Sequence, residues 1–527
     1  MILSGRIFLL ASVLAFFVSC GEKTPPQGDV EEQNAPVLLS TDPADGVKDA
    51  PSPSMTVKFS FDQKIMCTDA GIRQISVDGD ASVGRVTVGG FDISVDVDNL
   101  RDGATYTLCI PEGVIQGYKK NQKKTPAISY TFTTFKEEPL PPDPPGPADS
   151  EGWEYASSAV HRMRVGWNLG NTLEANSGNL QWMWIEAWTD RSTSAYETAW
   201  GQPVATSELI HMFKEAGFNT IRVPVTWYPH MGKFDVSVQM IDGEATPVGD
   251  FSTWTGYDVN PVWMARVKEV VDYVIDEGMY CILNVHHDTG DASTAWLRAD
   301  PKAYEQYRER YAELWKQIAD EFAGYGQTLL FESFNEMLDM KGTWNYSTSE
   351  AHETINKWNA DFVATVRATG GNNAHRNLIL NTYAASTDPR ALADFRLPED
   401  SADHHLMAEV HSYAPYLFAF DQDAGRAVNE FNDACDREVR SIIGNLNTYL
   451  VSRGIPCVLG EYGCTGSRSE EERAKQAACY VSAAAEYDIA CVYWMALSDT
   501  DDRKVPKWTC PKIKDAIIKA YKENRKK

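Results

Sequence analysis

Two short stretches place glutamates where bond-breaking chemistry could use them. LLFESFNEMLD (Leu329 to Asp339) runs from apolar residues into Asn335 and Glu336, and IPCVLGEYG (Ile455 to Gly463) runs from apolar residues into Glu461. A carboxylic acid that gives up a proton, and a carboxylate that attacks or activates water from the other side of the bond, form the pair that cleaves an acetal. Other polar and aromatic side chains end similar apolar runs. They are Asn168 and Asn171 in MRVGWNLGN, Arg222 in TIRVPVTW, His286 and His287 in YCILNVHHD, Tyr383 in NLILNTYAA, His411 and Tyr413 in LMAEVHSYAP, and Trp494 in IACVYWMAL. A further glutamate, Glu332, lies inside the apolar part of the first stretch. A carboxylate there must be paired or protonated, so Glu332 is expected to be structural. Strict alternation puts Glu332, Phe334 and Glu336 on one side, with Glu332 about 13 Å deeper, near the floor.

These residues need a scaffold that gathers strand ends. From Met163 onward, eight strand-like runs alternate with amphipathic helical segments such as PVWMARVKEVVDYVIDEG and AYEQYRERYAELWKQIADEF. Gly217, Gly278 and Gly454 stand where those helices should end. Repeated βα units imply a parallel sheet, and eight of them close into an α/β fold of the (β/α)8, or TIM, barrel type over residues 153–527. In such barrels the C-terminal ends of the strands carry the site, which is where the residues above fall.

The upstream chain differs. Residues 35–135 hold short alternating runs (TVKFSF, FDISVDV, SYTFTTF) parted by turns such as DPADG and NLRDG, the pattern of a small all-β sandwich. All fifteen tryptophans lie at Trp153 or later, so a spacer is expected here rather than a sugar-binding module with aromatic platforms. Residues 136–152, KEEPLPPDPPGPADSEG, contain six prolines and read as a semi-rigid linker. Residues 1–20 begin with Arg6, continue with an apolar run from Ile7 to Val18, and end Ser19-Cys20, a secretion signal. Ending at cysteine, it resembles a bacterial lipoprotein signal, which implies lipidation of Cys20. Residues 21–34 then form a flexible tether. The expectation is an outer-membrane lipoprotein of the bacterial cell envelope, surface-exposed, touching the membrane through its N-terminal lipid anchor. A net charge of −25 argues against binding nucleic acid or anionic lipid through a basic face. The nine other cysteines show no CxxC zinc spacing, and several lie in apolar runs as small core residues.

GWNLGNTLEA, ETAWGQP, GFNTIRVPVTW, LNVHHD, FESFNEM, VHSYAPY and LGEYG together resemble glycoside hydrolase family 5, in its endoglucanase and xyloglucanase branch. The likeness runs from Trp153 to the C-terminus, while APVLLSTDPADG resembles the start of a bacterial immunoglobulin-like domain. The first resemblance implies a retaining endo-acting β-glycanase that cuts β-1,4-glucosidic bonds in plant polysaccharides: cellulose-like glucan, mixed-linkage glucan or xyloglucan. It implies Glu336 as acid/base and Glu461 as nucleophile. Arg222 would hold Glu461 ionised, Asn335 would bond the sugar 2-hydroxyl, and His411 would orient Glu336. Tyr413 would touch Glu461, His286 and His287 would line the subsite beside the cleaved bond, Trp494 would stack on the sugar, and Asn171 would line the non-reducing side. No cofactor or metal is implied; the partner is a polysaccharide and the chain a monomer. Glu336 is expected to titrate high and Glu461 low. Met337 replaces the usual proline after the Asn-Glu pair, and MALSDTDD follows Trp494 in place of the frequent Trp-Asp-Asn pattern.

Three other readings compete. A β-mannanase could use the same site. A glycan-binding surface lipoprotein could use the barrel without catalysis. A metal-dependent hydrolase could use His286, His287 and Asp288, although neighbours on a strand point to opposite faces. His404 and His405 read as loop or surface. Among Trp182, Trp184, Trp188, Trp200, Trp227 and Trp254, some are expected in the core and two as sugar platforms.

Overall fold

The computed structural model describes residues 34–118, 123–135, 146–423, 425–464, 468–494, 503 and 505–525. The signal, Cys20, nearly all of the tether, residues 136–145 of the proline-rich stretch and the MALSDTDD segment lie outside the described residues. The chain divides into two compact units, 1–138 and 139–527.

In the first unit, Leu38–Asp42, Met55–Phe61, Asp92–Asp98 and Ser82–Gly89 form a four-stranded antiparallel sheet in that spatial order. Ser76–Val77, Thr105–Ile110 and Ile128–Thr133 form a second sheet. Alternation sends Met55, Val57, Phe59 and Phe61 inward, where they share a core with Val95, Leu108 and Phe132. This is the sandwich that the alternating runs predict.

The second unit is a closed eight-stranded parallel barrel. Its strands are Val165–Asn168 (β1), Thr220–Val223 (β2), Tyr280–Asn284 (β3), Leu329–Glu332 (β4), Leu378–Asn381 (β5), Leu406–Ser412 (β6), Cys457–Tyr462 (β7) and Ala490–Tyr493 (β8). Pairing of Gly166 with Val492 closes the ring between β1 and β8. Every strand residue is buried, which is why these runs are continuously apolar rather than alternating. Ile282, Leu330, Ile379, Met407, Val458 and Val492 fill the lower interior, packed against the helix Ala156–Met163. Phe331 and Leu329 point outward into the layer shared with the helices.

Three features depart from the sequence reading. Residues 147–152 belong to the barrel unit: Ser158 Oγ and Tyr155 N donate to the Pro147 carbonyl, and Asp149 pairs with His375 at 2.7 Å. His405 is a buried residue bonded to Asn377 Oδ1 at 3.0 Å, whereas its neighbour His404 is exposed. A long hairpin, Met231–Ile241 with Glu244–Val259, is inserted after β2. Its turn is Asp242-Gly243, both at positive φ, the chemistry a two-residue hairpin turn demands.

Candidate active site

Arg222, on the inner face of β2, is the hub. It is fully buried and spends its guanidinium on four neighbours. Nε and Nη2 donate to the two oxygens of Glu332 at 2.7 and 2.8 Å. Nη1 donates to Glu461 at 2.8 Å and to Asn168 Oδ1 at 3.0 Å. Nη2 also donates to Asn335 Oδ1 at 2.8 Å. With that amide oxygen engaged, the NH2 end is the part of Asn335 that can turn toward a substrate hydroxyl.

The catalytic candidates stand above this hub. Tyr413 donates its hydroxyl to Glu461 Oε2 at 2.7 Å. His411 Nδ1 lies 2.9 Å from Glu336 Oε1 and 3.6 Å from Glu461 Oε2, so one imidazole bridges both carboxylates. Single oxygens of Glu336 and Glu461 and a His411 ring nitrogen all fall within 4.8 Å of one another. Glu461 is buried, while Glu336 keeps part of its side chain in the open mouth.

Glu332 is paired, as a carboxylate in an apolar run must be, but it is not at the floor. The floor of the barrel is the layer of Leu330, Ile282 and Ile379. Glu332 sits one layer higher and shares Arg222 with Glu461. The expected alternation also breaks just after it. β4 ends at Glu332, and both following side chains turn outward: Ser333 Oγ bonds Asn359, and Phe334 enters the outer core. Tyr311 and Trp315 donate to the Ser333 carbonyl from the helix Pro301–Glu321. Asn381 on β5 braces the turn by donating to the carbonyls of Phe334 and Asn335. Asn335 thereby faces inward and Glu336 reaches the mouth.

The charges follow from this crowding. Burial opposes ionisation of Glu332, but Arg222 outweighs it and holds the carboxyl below its ordinary value. Burial pushes Glu461 above its ordinary value; His411, Arg222 and Tyr413 pull it back, and the charge of Glu336 adds to the rise. The expectation of a low Glu461 is therefore corrected: burial, with the charge of Glu336 added, outweighs the pull of His411 and Arg222. Burial alone would lower His411, yet Glu461, Glu336 and Glu409 raise it to about 10.

His286 and His287 follow β3 with their ring centroids 4.5 Å apart. Burial depresses both, His287 to about 4, so they act as neutral hydrogen-bonding groups at working pH. Asp288 is committed elsewhere, accepting from the amides of Trp227 and Tyr228 and from Trp296 Nε1. His286, His287 and Asp288 therefore make a braced turn rather than a ligand set. The trio Glu336, His411 and Glu461 is close enough to ligate an ion, but its donor chemistry does not fit one. His411 Nδ1 is already engaged by Glu336 and Glu461 by Arg222.

Trp494 packs its ring on Gly170, where an added Cβ would lie 3.0 Å from it, and runs nearly parallel to His286, with centroids 5.8 Å apart. This explains the glycine of GWNLGN. Asn171 adopts φ 60°, a conformation asparagine tolerates, and its amide donates to Glu174. Among the other tryptophans, Trp227 and Trp254 are core, and Trp200 packs against His287 with centroids 5.3 Å apart. Trp182 and Trp188 are exposed and meet edge to face. Sequence reasoning missed Glu409 and Asn381. For Glu409 the available signal was a carboxylate two places before His411 on one strand.

The family described as Cellulase (glycosyl hydrolase family 5) matches residues 182–499, and Bacterial Ig-like domain matches residues 32–134. The chain belongs to glycosyl hydrolase family 5. Endoglucanase A of Clostridium longisporum is 36% identical over 382 residues, which cover 70% of this chain and 66% of that protein. The chain thus spans just under two thirds of that relative's length. A family 5 enzyme from Prevotella bryantii, solved as a mutant with the xyloglucan tetradecasaccharide XXXGXXXG, is 37% identical. That match covers 70% of this chain and 99% of that one, with a TM-score of 0.60. A broad specificity endoglucanase from Ruminococcus champanellensis, solved with cellotriose, is 32% identical, covers 69% and 99% of the two chains, and has a TM-score of 0.59.

Proposed function

We propose that this glycoside hydrolase is a retaining, endo-acting β-1,4-glucanase that accepts cellulose-like glucan, mixed-linkage glucan or xyloglucan. One observation carries the mechanism: an oxygen of Glu336 and an oxygen of Glu461 lie within 4.8 Å of each other beside His411, a close approach of the kind retention needs. Retention uses carboxyl groups about 5–5.5 Å apart, whereas inversion needs a wider gap that admits water. Glu336, partly open to the mouth, protonates the departing glycosidic oxygen. Glu461, oriented by Arg222 and Tyr413, attacks the anomeric carbon and forms a glycosyl-enzyme. Glu336 then takes a proton from water as the water oxygen attacks the anomeric carbon and displaces the Glu461 carboxylate, which releases the sugar with its configuration kept. Asn335 offers its NH2 to the 2-hydroxyl, and Trp494 offers a ring face to the sugar. The named endoglucanase relatives and the xyloglucan and cellotriose complexes support the substrate class. Proton NMR of the first-formed product tests this reading: the β-anomer is expected, and initial α-product would overturn retention. Glu461→Ala should abolish reducing-sugar release while the fold persists.

We also propose that lipid on Cys20 tethers the enzyme to the envelope, facing outward. The sequence ending in Ser19-Cys20 supports this. Among the described residues no helix is long and apolar enough to cross a membrane. Cys20→Ala should abolish incorporation of labelled palmitate, and undiminished labelling would refute lipidation there.

A further inference from the structure

We propose that Glu409 is a positioning residue: a neutral carboxylic acid beneath the catalytic pair that fixes His411, and through it Glu336, from below. The inference rests on the two-glutamate reading of the site. Glu409 lies on the inner face of β6, two residues before His411, and is fully buried. Its Oε1 sits 3.3 Å from His411 Nε2 and 3.3 Å from Arg222 Nε. The imidazole is thus held at both ends, by Glu409 below and by Glu336 above at 2.9 Å.

Its other oxygen, Oε2, has no donor among the described residues. An ionised carboxylate oxygen left bare in the interior is costly. The same oxygen carrying a proton becomes a donor, and a carboxylate to accept it is the neighbour: Glu332 and Glu409 flank one Arg222 Nε, at 2.7 and 3.3 Å. Charge counting agrees. Four carboxyl groups (Glu332, Glu336, Glu409 and Glu461) share two cations, Arg222 and His411. When Glu336 is protonated for its acid role, the cluster is neutral only if Glu409 keeps its proton. Glu409 is also the partner farthest from the guanidinium, at 3.3 Å against 2.7 Å for Glu332 and 2.8 Å for Glu461.

The groups facing it come from every side. They are Arg222 on β2, Glu332 on β4, His411 on its own strand, and Glu461 and the Cys457 thiol on β7. The neutral His286 stands beyond β3. Burial, with the charge of Glu332 added, pushes Glu409 up to about 8. The chain makes room for this carboxyl: a Cβ on Gly460, just before the nucleophile, would lie 1.5 Å from Glu409 Oε1. The glycine of LGEYG is therefore required by a residue on the neighbouring strand.

The experiment compares Glu409→Gln and Glu409→Met in the full chain, with kcat and KM on a soluble β-glucan measured across pH. Glutamine supplies a neutral acceptor at Oε1 and a donor in place of the proposed O–H, so kcat should stay within about threefold of wild type. Methionine fills the space without an acceptor. Its kcat should fall about tenfold or more at little-changed KM, with the alkaline limb moved to lower pH as His411 loses a partner. Equal impairment of both variants would overturn the neutral-acid assignment, as would a wild-type profile for Glu409→Met. Urea stability gives an arm independent of activity. A carboxyl raised in the fold binds more protons folded than unfolded, so it subtracts stability as pH climbs from about 5 to about 8. Glu409→Gln should lack that decline, and an unchanged pH dependence would refute the proposal. Wild-type protein inactive on every β-glycan would instead refute the hydrolase reading, while the stability arm would still judge Glu409.

Discussion

Replacing Arg222 with lysine keeps the positive charge and removes the fork. The guanidinium makes five hydrogen bonds: two to Glu332 and one each to Glu461, Asn168 and Asn335. An ammonium offers three donors from one point, so at least two of these acceptors go unmet. Each charged hydrogen bond is worth about 1.5–3 kcal/mol, and breaking a fully buried pair costs about 3–5 kcal/mol. Both routes give a loss of roughly 4 kcal/mol for Arg222→Lys. Because every tryptophan lies at Trp153 or later, tryptophan fluorescence during urea unfolding of the full chain reports on the barrel unit alone. Activity should suffer separately. Glu461 loses its orienting donor and Asn335 loses the contact that aims its amide, a change on the scale of about 10²–10³ in kcat/KM. Unfolding within about 1 kcal/mol of wild type, or kcat/KM within about fivefold, would refute the hub role assigned to this side chain.

Glu336→Gln should lower kcat/KM on polysaccharide by about 10² or more with little change in stability, because this carboxyl is partly open and, among the described residues, hydrogen-bonds His411 alone; an aryl glycoside with a good leaving group should still glycosylate Glu461 in a burst assay. Glu332→Gln should impair both properties, since a glutamine NH2 would face an Arg222 donor; urea unfolding and kcat on one preparation check this, and a purely structural effect would contradict the shared guanidinium. Glu461 must be ionised to attack, and its carboxyl is raised above the ordinary 4.5, so kcat should fall as pH drops through a value higher than that of an exposed glutamate. A pH–rate profile flat down to about pH 4 would contradict the raised Glu461.

The barrel was legible because its strands are buried on both faces, which leaves unbroken apolar runs punctuated by amphipathic helices. The residues at the strand ends were legible for the same reason: each stands at or just past the end of such a run. What escaped were relations between strands. The sequence LLFESFNEM gives no sign that alternation stops at Glu332. That break depends on Tyr311 and Trp315 capturing the Ser333 carbonyl and on Asn381 bracing the turn, contacts from a helix and a strand elsewhere in the chain. The hairpin after β2 did leave a mark, Asp242-Gly243 between alternating runs, which the dominant βα rhythm masked.

The sign of the Glu461 shift shows why pairwise reasoning fails here. An arginine beside a carboxylate lowers its pKa, and taken alone Arg222 and Glu461 would behave so. Arg222 also binds Glu332 through two oxygens and stands 3.3 Å from Glu409. Its charge is thus shared among three carboxyl groups, and for Glu461 the cost of burial outweighs that share. Glu461, buried and only partly compensated, keeps a raised affinity for protons. The same division couples stability to catalysis, because any change that frees Arg222 from Glu332 makes it a better partner for Glu461 while exposing an uncompensated interior. Glu332 and Glu461, adjacent to neither each other in sequence nor the same strand, compete for one guanidinium, and the outcome sets how readily the nucleophile ionises.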